Sequence, residues 1–119
     1  MSHLLIVLGE TPFQSDKTDI SFKIADATLK QGHELSMFLF MDGVYNMINT
    51  QNGEPFKVIP SSKKLGDLIE KGAKIYSCKL CMMLRGIEES LMQDSIEASG
   101  IAELNDLIGV SDAVLSFMG

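Results

Sequence analysis

Cys78 and Cys81 are the only two thiols among the 119 residues of this chain, and only Lys79 and Leu80 separate them. They follow a short apolar run, 73–76, and precede a helix-like segment, 82–87. A cysteine placed where a strand ends and a helix opens meets the helix's unpaired N–H groups and its positive dipole end. That setting favours the thiolate, which is the reactive form of the side chain. The spacing therefore points to sulfur chemistry. Cys78, at the helix entrance, is expected to carry a lowered pKa, and Cys81, one turn on, to act as a resolving thiol or second relay point. Lys79 and Arg85 add positive charge nearby. Two other readings stand beside this one. Buried cysteines often pack as small hydrophobes. A structural zinc site needs about four ligands, and the chain offers only His3 and His33, both upstream and without finger spacing. No metal and no cofactor is expected.

Composition narrows the setting. Apolar residues make up 45% of the chain and charged residues 22%, an ordinary balance for one globular domain spanning 1–119. The formal net charge is −6 with no Lys/Arg cluster, which argues against nucleic acid or an anionic membrane surface as a partner. The first residues have no basic stretch and too short an apolar run for a signal peptide. No segment approaches the length of a membrane span. A cytoplasmic, reducing location is expected, where a CxxC pair is more often catalytic or metal-binding than a structural disulfide. There is no GxGxxG, P-loop or GxSxG element on which to rest a nucleotide or serine-hydrolase reading. The stretch Gly9-Glu10-Thr11-Pro12-Phe13 does not resemble a flavodoxin phosphate loop.

The elements that would position the thiols alternate along the chain. Residues 4–8 form a continuous apolar run, as in a strand buried on both faces. The segment 16–30 reads as a helix with Asp16 as a plausible N-cap and Gly32 closing it. Its apolar arc is wide, with Ile20, Ile24 and Ala27 on one side and Phe22, Ala25 and Leu29 nearly opposite. That exceeds what packing on a sheet needs and suggests contact with another subunit. A second strand is expected over 34–41 and a turn over 42–45, which is either a plain turn or a wall of the site offering Asp42 or Tyr45. The irregular segment 46–62 reads as a long loop, compatible with a short helix near Tyr45 and Ile48. A helix over 64–71, a strand over 73–77 and a short helix over 79–85 follow, the helices closed by Gly72 and Gly86. The segment 90–98 is ambiguous, with a short strand at its centre. Ile101, Leu104, Leu107 and Ile108 mark a last helix, and 113–117 a last strand. This alternation predicts an α/β fold, a three-layer α/β/α arrangement with a mainly parallel five-stranded sheet. Chemistry in such sheets gathers at the carboxyl ends of the strands, where the thiols fall.

Three blocks resemble the DsrE/DsrF family of small sulfur-transfer proteins. One is Gly32-His33-Glu34-Leu35-Ser36 with Phe38-Leu39-Phe40 and Asp42-Gly43-Val44-Tyr45-Asn46. A second is Cys78 with Leu84-Arg85-Gly86-Ile87. The third is Ser99-Gly100-Ile101 with Glu103-Leu104 and Asp112-Ala113-Val114-Leu115-Ser116-Phe117. Their order and spacing carry the resemblance nearly end to end. It implies the three-layer fold and assembly into homotrimers or hexamers, alone or with sister subunits. It implies that Cys78 carries sulfur as a persulfide between donor and acceptor proteins, in a relay of the tRNA-thiolation or sulfur-oxidation type. Cys81 departs from the family's relay subunits, which have only the first cysteine; other members carry a CxxC-like pair before an Arg-Gly step.

The leading expectation is thus a cytoplasmic sulfurtransferase or sulfur carrier using Cys78 and Cys81. The alternatives are a non-catalytic assembly subunit with inert cysteines and a CxxC thiol–disulfide oxidoreductase.

Overall fold

The computed structural model describes residues 1–118. Leu5, Ile6, Val7 and Leu8 are all buried in strand β1 (His3–Leu8), and Leu35 through Leu39 are buried in β2 (Glu34–Leu39). Runs of this kind have no polar face to give to water, so they can only lie inside a sheet covered on both sides. Helix α1 (Lys17–Lys30) joins them, and α2 (Ser61–Glu70) leads from β2 to β3 (Lys74–Cys78). A short helix α3 (Lys79–Leu84) precedes β4 (Ile96–Ser99), and α4 (Ile101–Val110) returns the chain to β5 (Ala113–Phe117).

The sheet runs β4-β3-β2-β1-β5, and every pairing is parallel. The expected five-stranded α/β/α fold is therefore present, with a wholly parallel sheet. Three crossovers step outward from β1 to β4, and the fourth goes back across the sheet to β5. Right-handed crossovers place α1 and α2 on one face and α4 on the other. In agreement, α1 touches α2, while α4 touches β1 and β4.

The boundaries differ from expectation in informative ways. The segment after β2 is no tight turn but a 3-10 segment, Met41–Met47. It begins at Met41 with φ 51°, a left-handed conformation that only a strong local constraint holds in a non-glycine residue. The ambiguous segment 90–98 holds its strand not at the centre but at its end, where β4 runs from Ile96 to Ser99. Asp16 sits at the N-cap of α1 without a side-chain cap bond. Gly32, Gly72 and Gly86 all have positive φ and close α1, α2 and α3 as expected.

On α1, Phe22 and Ala25 are buried, whereas Ile20 is exposed. On the side of Ile20, Ala27 is also exposed and Ile24 is half-buried against the core, so the wide apolar arc is covered unevenly within the chain. The β1–β5 crevice, where this topology usually receives ligands, is occupied by Met118. Its side chain lies so close to Gly9 that a Cβ at Gly9 would overlap it.

Candidate functional site

The carboxyl end of β3 turns directly into α3, and Cys78 is the residue at the junction. It ends β3 opposite Ser99 of β4 and is the N-cap of α3. The N–H of Cys81 donates to Cys78 Sγ at 3.2 Å, the bond a capping side chain makes to the third residue of a helix. Capping of this kind puts both thiols on the same side of one turn. Cys81 Sγ in turn accepts the N–H of Met41 at 3.2 Å. Two sulfurs thus each rest on one backbone N–H, the second donor coming from a residue 40 positions away in the chain.

The Met41–Met47 segment roofs this corner and is itself fastened at several points. Gly43 packs so tightly on β1 that a Cβ there would overlap the Leu8 carbonyl. Asn46 is fully buried and donates through Nδ2 to the Glu10 carbonyl at 2.7 Å and to the Gly43 carbonyl at 3.0 Å, joining the β1 loop to the roof. Its Oδ1 has no partner. Asp42 accepts from Arg85 Nε at 2.8 Å and pairs with Nη2 at 2.8 Å, while Arg85 Nη1 donates to the Cys81 carbonyl at 3.0 Å. The segment Met41–Met47 therefore borders the thiols through the Met41 N–H and, by way of Arg85, through Asp42, whose carboxylate is taken up by that guanidinium.

The electrostatics overturn one expectation. Cys78 is only 1% exposed and Cys81 5%. Burial pushes the Cys78 thiol from its ordinary 9.0 up to about 11, and the adjoining Cys81 thiol adds to the rise. The N–H groups of Cys81 and Leu80 oppose it and lose. The reason is one of size. A helix of six residues offers a small dipole, whereas removing water from a thiolate acts at full strength. Lys79 is exposed, and Arg85 is engaged with Asp42; neither charge rescues the thiolate. At rest Cys78 is a protonated, covered thiol, not the lowered-pKa nucleophile that the junction suggested.

The remaining candidates sort by position. His3 and His33 lie at the amino end of the sheet. His3 Nε2 is 2.8 Å from Ser36 Oγ, and His33 Nδ1 accepts the Ser2 N–H. Neither reaches the thiols, and among the described residues no cluster of His, Cys, Asp or Glu could hold a metal ion. Among them, too, no helix is long and apolar enough to cross a membrane. Of the Met82-Met83-Leu84 run only Met82 is core; Met83 and Leu84 face outward. Met82 and Met83 line a hollow of about 410 Å³ with Lys79, Gly86, Ile87, Glu88 and Glu89, beside the thiols rather than over them. Sequence reasoning did not foresee the Met41 N–H or the Asn46 side-chain amide as contacts that build the site. For Met41 no local signal existed, because its role is played by a backbone N–H. For Asn46 the signal was a lone amide among the apolar and aromatic residues Val44, Tyr45, Met47 and Ile48.

Comparison with known proteins closes the description. The DsrE/DsrF-like family model matches residues 2–117. An uncharacterized protein of Methanopyrus kandleri is 31% identical over 117 residues, covering 96% of this chain and 93% of its own. An uncharacterized protein of Methanocaldococcus jannaschii is 31% identical over 115 residues, covering 94% of this chain and 96% of its own. Among solved structures, the YchN protein of E. coli superposes with a TM-score of 0.89 at 27% identity, covering 98% of this chain and all of that one.

Proposed function

Since the chain belongs to the DsrE/DsrF-like family, we propose that it is a sulfur carrier, holding sulfur as a persulfide on Cys78 and passing it to an acceptor thiol. The observation that carries the reading is the pair of stacked N–H···S contacts at 3.2 Å, which gather both thiols into one turn at the carboxyl end of a parallel strand. Backbone N–H groups aimed at a sulfur stabilise negative charge there. In loading, the Cys78 thiolate attacks the outer sulfur of a donor persulfide. A bond forms from Sγ to that sulfur, the donor's S–S bond breaks, and the donor leaves as a thiolate. In unloading, an acceptor thiolate attacks the same outer sulfur, and Cys78 is the leaving group.

Because the resting thiol is protonated and covered, loading requires partner-induced opening of the corner, which keeps the sulfur from stray thiols. The proposed partners are sulfur donor and acceptor proteins of the cytoplasm, in a relay of the tRNA-thiolation or sulfur-oxidation type. The proposed assembly is a homotrimer or hexamer, alone or with sister subunits. What supports it is the uncovered apolar surface of Ile20 on α1, Ile101, Ile108 and Val110 on α4, and Val114 and Leu115 on β5.

Intact mass measurement after incubation with a cysteine desulfurase and cysteine, or with thiosulfate and a rhodanese, tests the proposal. A gain of one sulfur atom that depends on Cys78 is expected; no gain with either donor system overturns it. A second reading, a non-catalytic assembly subunit, is favoured by the burial of both thiols and the raised Cys78 pKa. It expects sluggish alkylation and no loading. A thiol–disulfide oxidoreductase, favoured by the closeness of the pair, expects a reversible disulfide without a stable persulfide.

A further inference from the structure

Arg85 closes a ring around Cys81. One arm of its guanidinium holds the Cys81 carbonyl at 3.0 Å, and the other holds Asp42 at 2.8 Å. Asp42 follows Met41, whose N–H rests on Cys81 Sγ. The ring thus runs from the Cys81 carbonyl through Arg85, Asp42 and the Met41 amide back to the Cys81 sulfur. Met41 is held at φ 51° inside it. A sparsely populated conformation of this kind persists only where the surroundings over-determine it, and the fastening here is an ion pair between two different elements.

From this ring we infer that Arg85 is a positioning residue for Cys81: it latches the Met41–Met47 roof to α3 and so fixes the Cys81 sulfur against Cys78. Cys78 is not held this way. Its sulfur contacts the Cys81 amide within the same turn and stays in place if the roof lifts. Loosening the latch therefore uncovers Cys81 first.

The latch concerns the free thiols; its consequence for sulfur release rests on the carrier reading. In a loaded protein the Cys81 sulfur attacks Cys78 Sγ. The Sγ–Sγ bond forms, and the bond from Sγ to the outer sulfur breaks. That sulfur leaves as hydrosulfide with the Cys81 proton. The outer sulfur is reduced by two electrons as the two cysteine sulfurs are oxidised to a disulfide, which an external dithiol then reduces. Holding Cys81 in line speeds this step; releasing the latch slows it.

The test is native iodoacetamide labelling of the full chain at fixed pH, with each cysteine followed by peptide mass. Arg85→Gln and Asp42→Asn should each raise the rate at Cys81 relative to Cys78 by about three- to tenfold, the weight of a charge-assisted bond discounted for its exposed Asp42 end. Arg85→Lys, which keeps the ion pair but loses the fork, should fall between. The swapped pair Asp42→Arg with Arg85→Asp should move the ratio back toward wild type. A ratio unchanged in both single variants, or both thiols accelerated equally as in general loosening, overturns the inference. In loaded protein Arg85→Gln should also release sulfide more slowly. If wild-type protein takes up no sulfur, the carrier reading fails while the labelling ratio still judges the latch.

Discussion

The thiol corner and the α4–β5 edge are built in opposite ways. In the corner, the groups that would do chemistry are sealed inside one chain, with both cysteines buried and each sulfur on a backbone N–H. At the edge, side chains that ordinarily stay inside face outward. Val114 is 41% exposed and Leu115 38%, and only Leu107 of α4 is buried. β5 is as apolar as an inner strand, yet it pairs on one side only. An apolar parallel strand left open is a template for association. The contrast teaches that one chain covers its two thiols with its own residues but leaves the apolar side chains of α4 and β5 facing outward.

Changes that strike one region and spare the other can break that comparison. The largest effect belongs to Cys78→Ser, which should abolish sulfur loading by intact mass while leaving sedimentation unchanged, because the swap is nearly isosteric. Equal loading of variant and wild type would remove Cys78 from the chemistry. Next in size is Leu115→Glu combined with Ile108→Glu. Wild type should sediment as a trimer or hexamer at low micromolar concentration, and this variant as a monomer that still alkylates both thiols at similar rates. A wild-type monomer would mean either that the open edge is tolerated in one chain or that a sister subunit covers it; adding candidate sisters separates the two. Cys81→Ser should load normally but hold its sulfur longer. Complete loss of loading in that variant, with loading retained in Cys78→Ser, would reverse the two roles.

The smallest effect is on pH dependence. Folding lifts Cys78 from 9.0 to about 11, so between those values the folded state binds more protons than the unfolded one. Its contribution to stability is fully present below about pH 9 and is lost as pH rises toward 11. Urea melts across that range should show a decline for wild type that is shallower in Cys78→Ser. Identical slopes would mean that the thiol is better solvated than its burial implies.

Much of the fold is legible in the chain. The unbroken apolar run of β1 and the nearly apolar run of β2, interrupted only by Ser36, call for a doubly covered sheet, and the glycines at 32, 72 and 86 mark three helix ends through their need for positive φ. β4 was hard to see because its four residues carry one buried side chain, Ile96, so no periodicity develops. The wide arc of α1 was readable, but which half faces the sheet was not; packing chose Phe22 and Ala25 and left Ile20 outside. In the site, the CxxC spacing and the strand–helix junction were legible, since capping is a matter of a few consecutive residues. The roof was not, because an N–H presented by Met41 carries no mark in its side chain.

By itself, the sequence determined the order of elements, the parallel sheet and the placing of two thiols within one helical turn. These follow from interactions spanning a few residues and from apolar runs that must be buried. Only the tertiary structure decided the state of those thiols. Cys78 is a covered thiol rather than an exposed thiolate because the protein packed around it excludes water, with the roof at Met41 arriving from 40 residues away to close on Cys81. Desolvation sums over everything that surrounds a group, and no short stretch of chain contains that sum.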